Sequence, residues 1–246
     1  MKPQQLFLKT PEGGIQYILR RSRRKTISVA INDEAEVWVG APLWIEDSRL
    51  KQFLLEKSSW ILRKQAECSV KNNLLKQMVF DDGGTFLFLG EKYPLNVIEN
   101  NRKAEINFTQ AGWNAHVPRD LDQNKRGEAV KEILIDWYRA QAREIFGGRV
   151  FHFARILKVE PQEIAVRTQK RLWGSCHHHS RKIHLNWQLV LSPMEVIDYV
   201  VVHELCHLLV PNHSKRFWQK VETILPDFKK RKAWLREHGW QIKLFL

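Results

Sequence analysis

Residues Val200-Val201-Val202-His203-Glu204-Leu205-Cys206-His207-Leu208 set a His-Glu-x-x-His pattern inside a run that is otherwise apolar. On a helix, positions four apart share a face, so His203 and His207 can aim ring nitrogens at one point. Glu204 projects beside them. A helix this apolar has to be buried, and a carboxylate buried in it is costly unless it has a role. The pattern therefore demands a packed fold built around one helix, with a metal ion as the reason for the polar residues. Ser192-Pro193-Met194-Glu195 predicts the start of that helix, with Ser192 as N-cap, Pro193 in the first turn and Glu195 completing a capping box. Pro211 predicts its end.

Catalytic zinc usually takes three protein ligands. His213, six residues beyond His207, is the expected third, presented by a chain reversal at Val210-Pro211-Asn212. Glu222, on the helix expected next, is the alternative. Glu204 is the expected catalytic general base, taking a proton from a metal-activated water. One Zn2+ is the expected cofactor, although three histidines also admit other divalent transition metals. Cys206 falls on another part of the helix and reads as a small packed residue.

No run of about 18 apolar residues exists, so no transmembrane helix is expected. The N-terminal segment MKPQQLFLKTPEGG has too short an apolar stretch for a secretory signal. Three scattered cysteines, Cys68, Cys176 and Cys206, argue against a disulfide framework. Together these point to a cytoplasmic protein. The formal net charge of +13 favours an anionic partner, although a solvated basic surface would give the same number.

The expected fold class is α+β. Residues 1–120 read as a strand-rich N-terminal region and 121–246 as the catalytic domain, divided at the polar Asp120–Gly127 stretch. Ile15, Tyr17 and Leu19 alternate with polar residues, as on a half-buried strand. Arg20-Arg21-Ser22-Arg23-Arg24-Lys25 is the densest basic cluster; it fits a solvated sheet edge or a phosphate-binding patch. Thr26–Ile31 and Glu36–Val39 suggest a hairpin about Asn32-Asp33. A helix is expected over 46–66. Strands are expected over 85–89, 93–98, 104–108 and 113–117. A helix over Ala129–Phe146 should stop or break at Gly147-Gly148, with a second over Val150–Leu157. Strands at Ile164–Thr168 and Lys182–Trp187 precede three closing helices. No internal repeat is apparent.

Several segments resemble the YgjP-like metallopeptidase family, related to SprT-like and WLM-type zincins. They are Arg20–Thr26, Trp173-Gly174-Ser175-Cys176, Leu185-Asn186-Trp187, Ile197–Leu208 and Asn212-His213-Ser214 with Phe217-Trp218. The likeness covers nearly the whole chain and is most specific in its C-terminal half. It implies a zincin-like catalytic domain with His203, His207 and His213 as ligands and Glu204 as base. It also implies an edge strand that binds extended substrate; Lys182–Trp187 is either that strand or an ordinary internal one. The sequence departs from the family at Leu172, where an arginine is common, and in His177-His178-His179. The triple histidine reads as a solvated turn or a second metal-binding spot. Tyr199, His184 and the three histidines are the candidate oxyanion donors, but Tyr199, one helical turn before His203, reads first as a packed residue, and none of them enters the expected catalytic set.

Three functions compete. A peptidase would direct the activated water at a peptide carbonyl of a polypeptide substrate. A nucleotide pyrophosphatase would direct it at phosphorus in a phosphorylated small molecule, which suits the positive charge. A DNA-associated SprT-like protease would use the basic surface to bind nucleic acid, although no DNA-binding motif stands in the sequence.

Overall fold

The computed structural model describes residues 3–32, 34–77, 79–169 and 171–243. Its helices and three mixed sheets make the protein α+β with a strand-rich N-terminal part, as expected. Chain contacts divide it into two compact units, Met1–Gln77 and Met78–Leu246. The Asp120–Gly127 stretch lies inside the second unit, where Asp122 caps a long helix: its Oδ1 accepts from the Lys125 N–H at 2.9 Å.

The first unit begins with β1 (Gln4–Thr10), β2 (Gly13–Ser22), β3 (Ser28–Ile31) and β4 (Val37–Pro42). They form one sheet in the order β1-β2-β4-β3, with β2 and β4 parallel and the outer pairs antiparallel. Ile15, Tyr17 and Leu19 point to one face and are buried, as their alternation predicts. Helices α1 (Asp47–Glu56) and α2 (Ser58–Gln77) follow; Leu50, Leu54 and Ile61 join the same core. The helix expected over 46–66 is thus two helices meeting at Lys57, the second running on to Gln77. The hairpin of β3 and β4 is present, but Asp33 of its expected turn lies outside the described residues. In the basic cluster, Arg21 is structural. Its Nη1 donates to the carbonyls of Pro42 (3.0 Å) and Ile45 (2.7 Å), and Nη2 pairs with Asp47.

The second unit opens with β5 (Thr85–Phe88), β6 (Glu91–Asn100), β7 (Glu105–Thr109) and β8 (Gly112–Pro118), in the order β5-β6-β8-β7. Here too the inner pair is parallel and the outer pairs antiparallel. The two sheets therefore share one topology. No repeat shows in the residues because each sheet meets different neighbours and needs only its own burial pattern.

A helix of 35 residues, α3 (Gln123–Leu157), crosses this unit unbroken. The expected break at Gly147-Gly148 does not occur. Each glycine costs a helix about 1 kcal/mol relative to alanine. The buried Phe146, Val150 and Phe153 flank the pair and hold the helix by packing. Around the middle of α3, Trp113, Trp137, Tyr138 and Trp187 form an aromatic cluster, and the Tyr138 hydroxyl donates to the Leu87 carbonyl at 2.6 Å.

The third sheet contains β9 (Glu163–Arg167), β10 (Gly174–His177) and β11 (Lys182–Asn186), in the order β10-β11-β9. Of the two readings of Lys182–Trp187, a substrate-binding edge strand and an ordinary internal strand, the second holds: most of the segment is the central strand. It is hydrogen-bonded on both sides, and β10 is an edge instead. After β11 come a 3-10 helix (Trp187–Leu191) and α4 (Met194–His207), α5 (Lys215–Ile224) and α6 (Phe228–Ile242). Pro193, not Ser192, is the N-cap of α4; Ser192 instead donates its hydroxyl to Leu189 O at 2.7 Å and closes the 3-10 turn. No helix among the described residues is long and apolar enough to cross a membrane.

Candidate metal centre

Helix α4 is buried along nearly its whole length and packs against α3, α5, α6 and β10. Val196, Ile197, Val200, Val201, Val202 and Leu205 anchor it. Each such side chain contributes about 1.5–3 kcal/mol by leaving water, so the helix has little freedom to shift. A bidentate pair adds direction: Arg149 of α3 donates Nε to Asp198 Oδ1 at 2.5 Å and Nη2 to Oδ2 at 2.8 Å.

His203 and His207 leave this helix on one face. The chain turns at Val210-Pro211-Asn212 and brings His213 back to them. His213 Nε2 lies 3.0 Å from His203 Nε2 and 3.2 Å from His207 Nε2. These three are the group among the described residues that can hold a metal ion. Glu222 is not part of it; its carboxylate is exposed on α5, 3.9 Å from Lys229 Nζ.

The donor set suits a metal. His207 Nδ1 is 3.2 Å from Val210 O, and a carbonyl only accepts, so Nδ1 carries the proton and Nε2 offers its lone pair. The candidate ligand atoms of all three histidines lie within 4.8 Å of one another, a spacing that one ion can bridge. A tetrahedral ion with Zn–N bonds of ~2.0–2.1 Å sets its nitrogen ligands ~3.3 Å apart. Burial first, then the electrostatic influence of His207, His213 and Lys232, pushes His203 down to about 3, so its ring is held neutral. Burial also lowers His207, against the opposing Val210 hydrogen bond.

Packing fixes the rings. Phe217, fully buried on α5, has its ring centroid 4.9, 4.5 and 4.8 Å from those of His203, His207 and His213. Trp218 stacks against His213 at 5.7 Å on its other side. His203 Nδ1 is buried without a hydrogen-bond partner, so this ring is oriented by contact with Phe217 and Tyr199.

Glu204 is 5% exposed and lies beneath β10. A Cβ built on Gly174 would be 2.7 Å from Glu204 Oε1, so the strand's backbone passes directly over the carboxylate. Burial pushes the Glu204 carboxyl up to about 8, the behaviour expected of a group that exchanges a proton near neutrality.

The loop before β10 is held by Asn186, which is fully buried. Its Nδ2 donates to Gln169 O (2.8 Å) and Leu172 O (3.3 Å), its Oδ1 accepts from Gln188 N, and its N–H reaches Trp173 O. Trp173 in turn lies over Gly239 of α6, where a Cβ would come within 3.0 Å of the indole. The Trp-Gly-Ser-Cys and Leu-Asn-Trp elements therefore work together to set β10 above Glu204. Leu172 and Arg171, at the departure from the family pattern, are both exposed.

The triple histidine divides by role. His178 Nδ1 donates to His207 O at 2.8 Å and so fixes the end of α4 beside a candidate ligand. His177 packs edge-on against His184 of β11 at 5.1 Å, and His179 is exposed. No pattern of spacing marked His178 for this task. Tyr199 is 6% exposed, and burial, then Glu204, pushes its hydroxyl up to about 12. Cys206 is fully buried, as expected.

No curated protein matches the chain significantly. Among solved structures, the crystal structure of the metallopeptidase zymogen of Pyrococcus abyssi abylysin is similar at 23% identity and a TM-score of 0.35, over 38% of this chain and 92% of that chain. The family model for the YgjP-like metallopeptidase domain matches residues 25–238, which include the second and third sheets, the histidine triad and Glu204, and the chain belongs to that family.

Proposed function

We propose that the protein is a zinc metallopeptidase of the zincin type. The observation that carries this is the convergence of three histidine Nε2 atoms, with closest approaches of 3.0 and 3.2 Å, beside a buried Glu204 roofed by an edge strand. His203, His207 and His213 would hold the ion. When bound, zinc acidifies a water and polarises the carbonyl under attack.

The chain's own groups do the rest. Glu204, next to the triad and shielded from solvent, takes the proton from the attacking water and returns it to the leaving amine. β10 is an edge strand, and an extended peptide that pairs along it would lie beside Glu204. Tyr199, one helical turn before His203, is buried by packing and is left out of the proton path. Membership of a metallopeptidase family supports a polypeptide substrate.

The test is a panel of unfolded proteins, peptides and nucleoside triphosphates, offered to zinc-loaded wild type and Glu204→Gln. Proteolysis by the wild type alone supports the proposal. Glu204-dependent phosphate release without proteolysis would replace it by phosphoanhydride chemistry. Proteolysis that appears only with DNA would favour a DNA-recruited protease.

A further inference from the structure

Beside the triad, α5 and α6 enclose a groove of about 720 Å³. Trp218, Phe228 and Ala233 give it an apolar floor, and Lys215, Lys229, Lys232 and Arg236 line it. Trp218 joins the groove to the metal centre, because the same indole stacks on His213 at 5.7 Å and on Phe228 at 5.4 Å. Lys232 stands at this junction, its Nζ 4.2 Å from the Trp218 ring centroid and close enough to His203 to act on its charge.

The cations exceed their internal partners. Glu222 is the carboxylate of the groove and sits 3.9 Å from Lys229, while Arg236 is 3.6 Å from Glu237. Among the described residues, Lys215 and Lys232 have no carboxylate in ion-pair range. Lys229, Lys232 and Arg236 follow one another at intervals of three and four on α6, so they form a row along one face. At 1.5 Å per residue that row is about 10 Å long. A compact phosphate needs donors that converge on one point. A row of separated ammonium groups over an aromatic floor suits an extended segment instead. Its methylene stems would lie on Trp218 and Phe228, and its carboxylates would meet the lysines.

We infer that this groove is a specificity subsite for acidic side chains of the polypeptide substrate, with Lys232 as the cation at its junction with the triad. The inference rests on the peptidase reading of the adjacent centre. It gives part of the chain's +13 charge a specific purpose, the selection of substrate by sign.

The experiment uses paired peptides that differ only in Glu against Gln at positions flanking the cleaved bond. Binding is measured on zinc-loaded Glu204→Gln, and kcat/KM on the zinc-loaded wild type. The Glu peptide is expected to bind and react about fivefold better or more, with the advantage shrinking in high salt. Lys232→Glu should abolish that preference and favour a Lys-containing twin. Lys229→Glu should do the same more weakly, which guards against a fold defect in one variant. Cleavage of both peptides at equal rates would overturn the subsite and leave the peptidase reading standing. Selective, Lys232-dependent binding of the Glu peptide with no cleavage would uphold the subsite and overturn the peptidase. Displacement of the peptide by inorganic triphosphate at far lower concentration than by glutarate would overturn the subsite in favour of a phosphate site.

Discussion

Gly174 of β10 lies so close over Glu204 that a Cβ added to it would stand 2.7 Å from Oε1 and 2.8 Å from Cγ. Glu204 is buried. Alanine at 174 must therefore push the carboxylate aside or lift the strand. The expected outcome for Gly174→Ala is unchanged metal stoichiometry with kcat lowered about 100-fold, the size of effect that ~1 Å of misplacement produces. Metal analysis together with steady-state kinetics checks it. Full turnover by the metal-loaded variant would mean that the position of the carboxylate is not critical.

Glu204→Gln keeps the shape of the side chain and removes its ability to take a proton. Because Glu204 stands beside the triad without entering it, the variant should bind zinc as the wild type does. Hydrolysis should fall by about 10²–10⁴, the usual contribution of a positioned acid–base group. Isothermal titration of the metal and an activity assay on a verified substrate separate the two effects. Lost metal binding would make Glu204 a ligand and refute its role as base.

His213 and Glu222 make opposite predictions. His213 Nε2 is within 3.2 Å of both other histidine nitrogens, whereas Glu222 faces Lys229 on the surface. His213→Ala should weaken zinc binding by more than the 10–100-fold typical of an outer-shell change, and Glu222→Gln should leave it as it was. A competition titration with a chromophoric chelator decides between them.

Asp122 supplies a pH-dependent element. The Lys125 backbone N–H, which it accepts at the start of α3, holds its carboxyl below the usual 3.8. A depressed carboxylate stabilises the fold above its unfolded value, and that contribution disappears as pH falls through the folded one. Asp122→Ala should therefore lower the melting temperature at pH 7, with the gap to wild type closing below about pH 3.8. A gap that stays constant down to pH 3 would show that the cap is not acting through its charge.

The site was more legible than its frame. The convergence of His203, His207 and His213 could be read because their spacing on and just beyond one helix brings them together, and the apolar run around Glu204 announced its burial. The roof could not be read that way. β10 is four residues long, begins with a glycine and shows no alternation, so no strand is expected there from the residues, whereas Lys182–Trp187 carries a readable strand, most of which is the internal β11. The continuous α3 was hidden for the opposite reason. Gly147-Gly148 has a strong local preference against helix, and only the buried flanks override it. Ser192 was taken for the N-cap of α4 because its hydroxyl has the right chemistry. The 3-10 turn before the helix claims that hydroxyl first. His178 stood out only as part of the triple histidine, with nothing to mark its role, since its partner is a backbone carbonyl distant in sequence.

Arg149 and Asp198 join α3 to the helix that carries His203 and His207. The Asp198 side chain is 11% exposed and that of Arg149 31%, so the pair is neither a surface bridge nor a fully dry one. Removing one partner of a buried pair costs about 3–5 kcal/mol, because the other charge is left without compensation. An exposed pair contributes about 0–1 kcal/mol. The two-pronged geometry and the buried carboxylate place Asp198→Ala near the lower end of the buried range, about 3 kcal/mol by urea denaturation. Replacing both residues, as in Arg149→Met with Asp198→Leu, should recover much of that loss, since no charge is then stranded. Asp198 is five residues from His203 and turned away from the triad on the helix, so neither variant should alter zinc stoichiometry in the folded protein. If Asp198→Ala instead loses zinc while losing under 1 kcal/mol of stability, the pair serves to aim the ligands more than to hold the helices together.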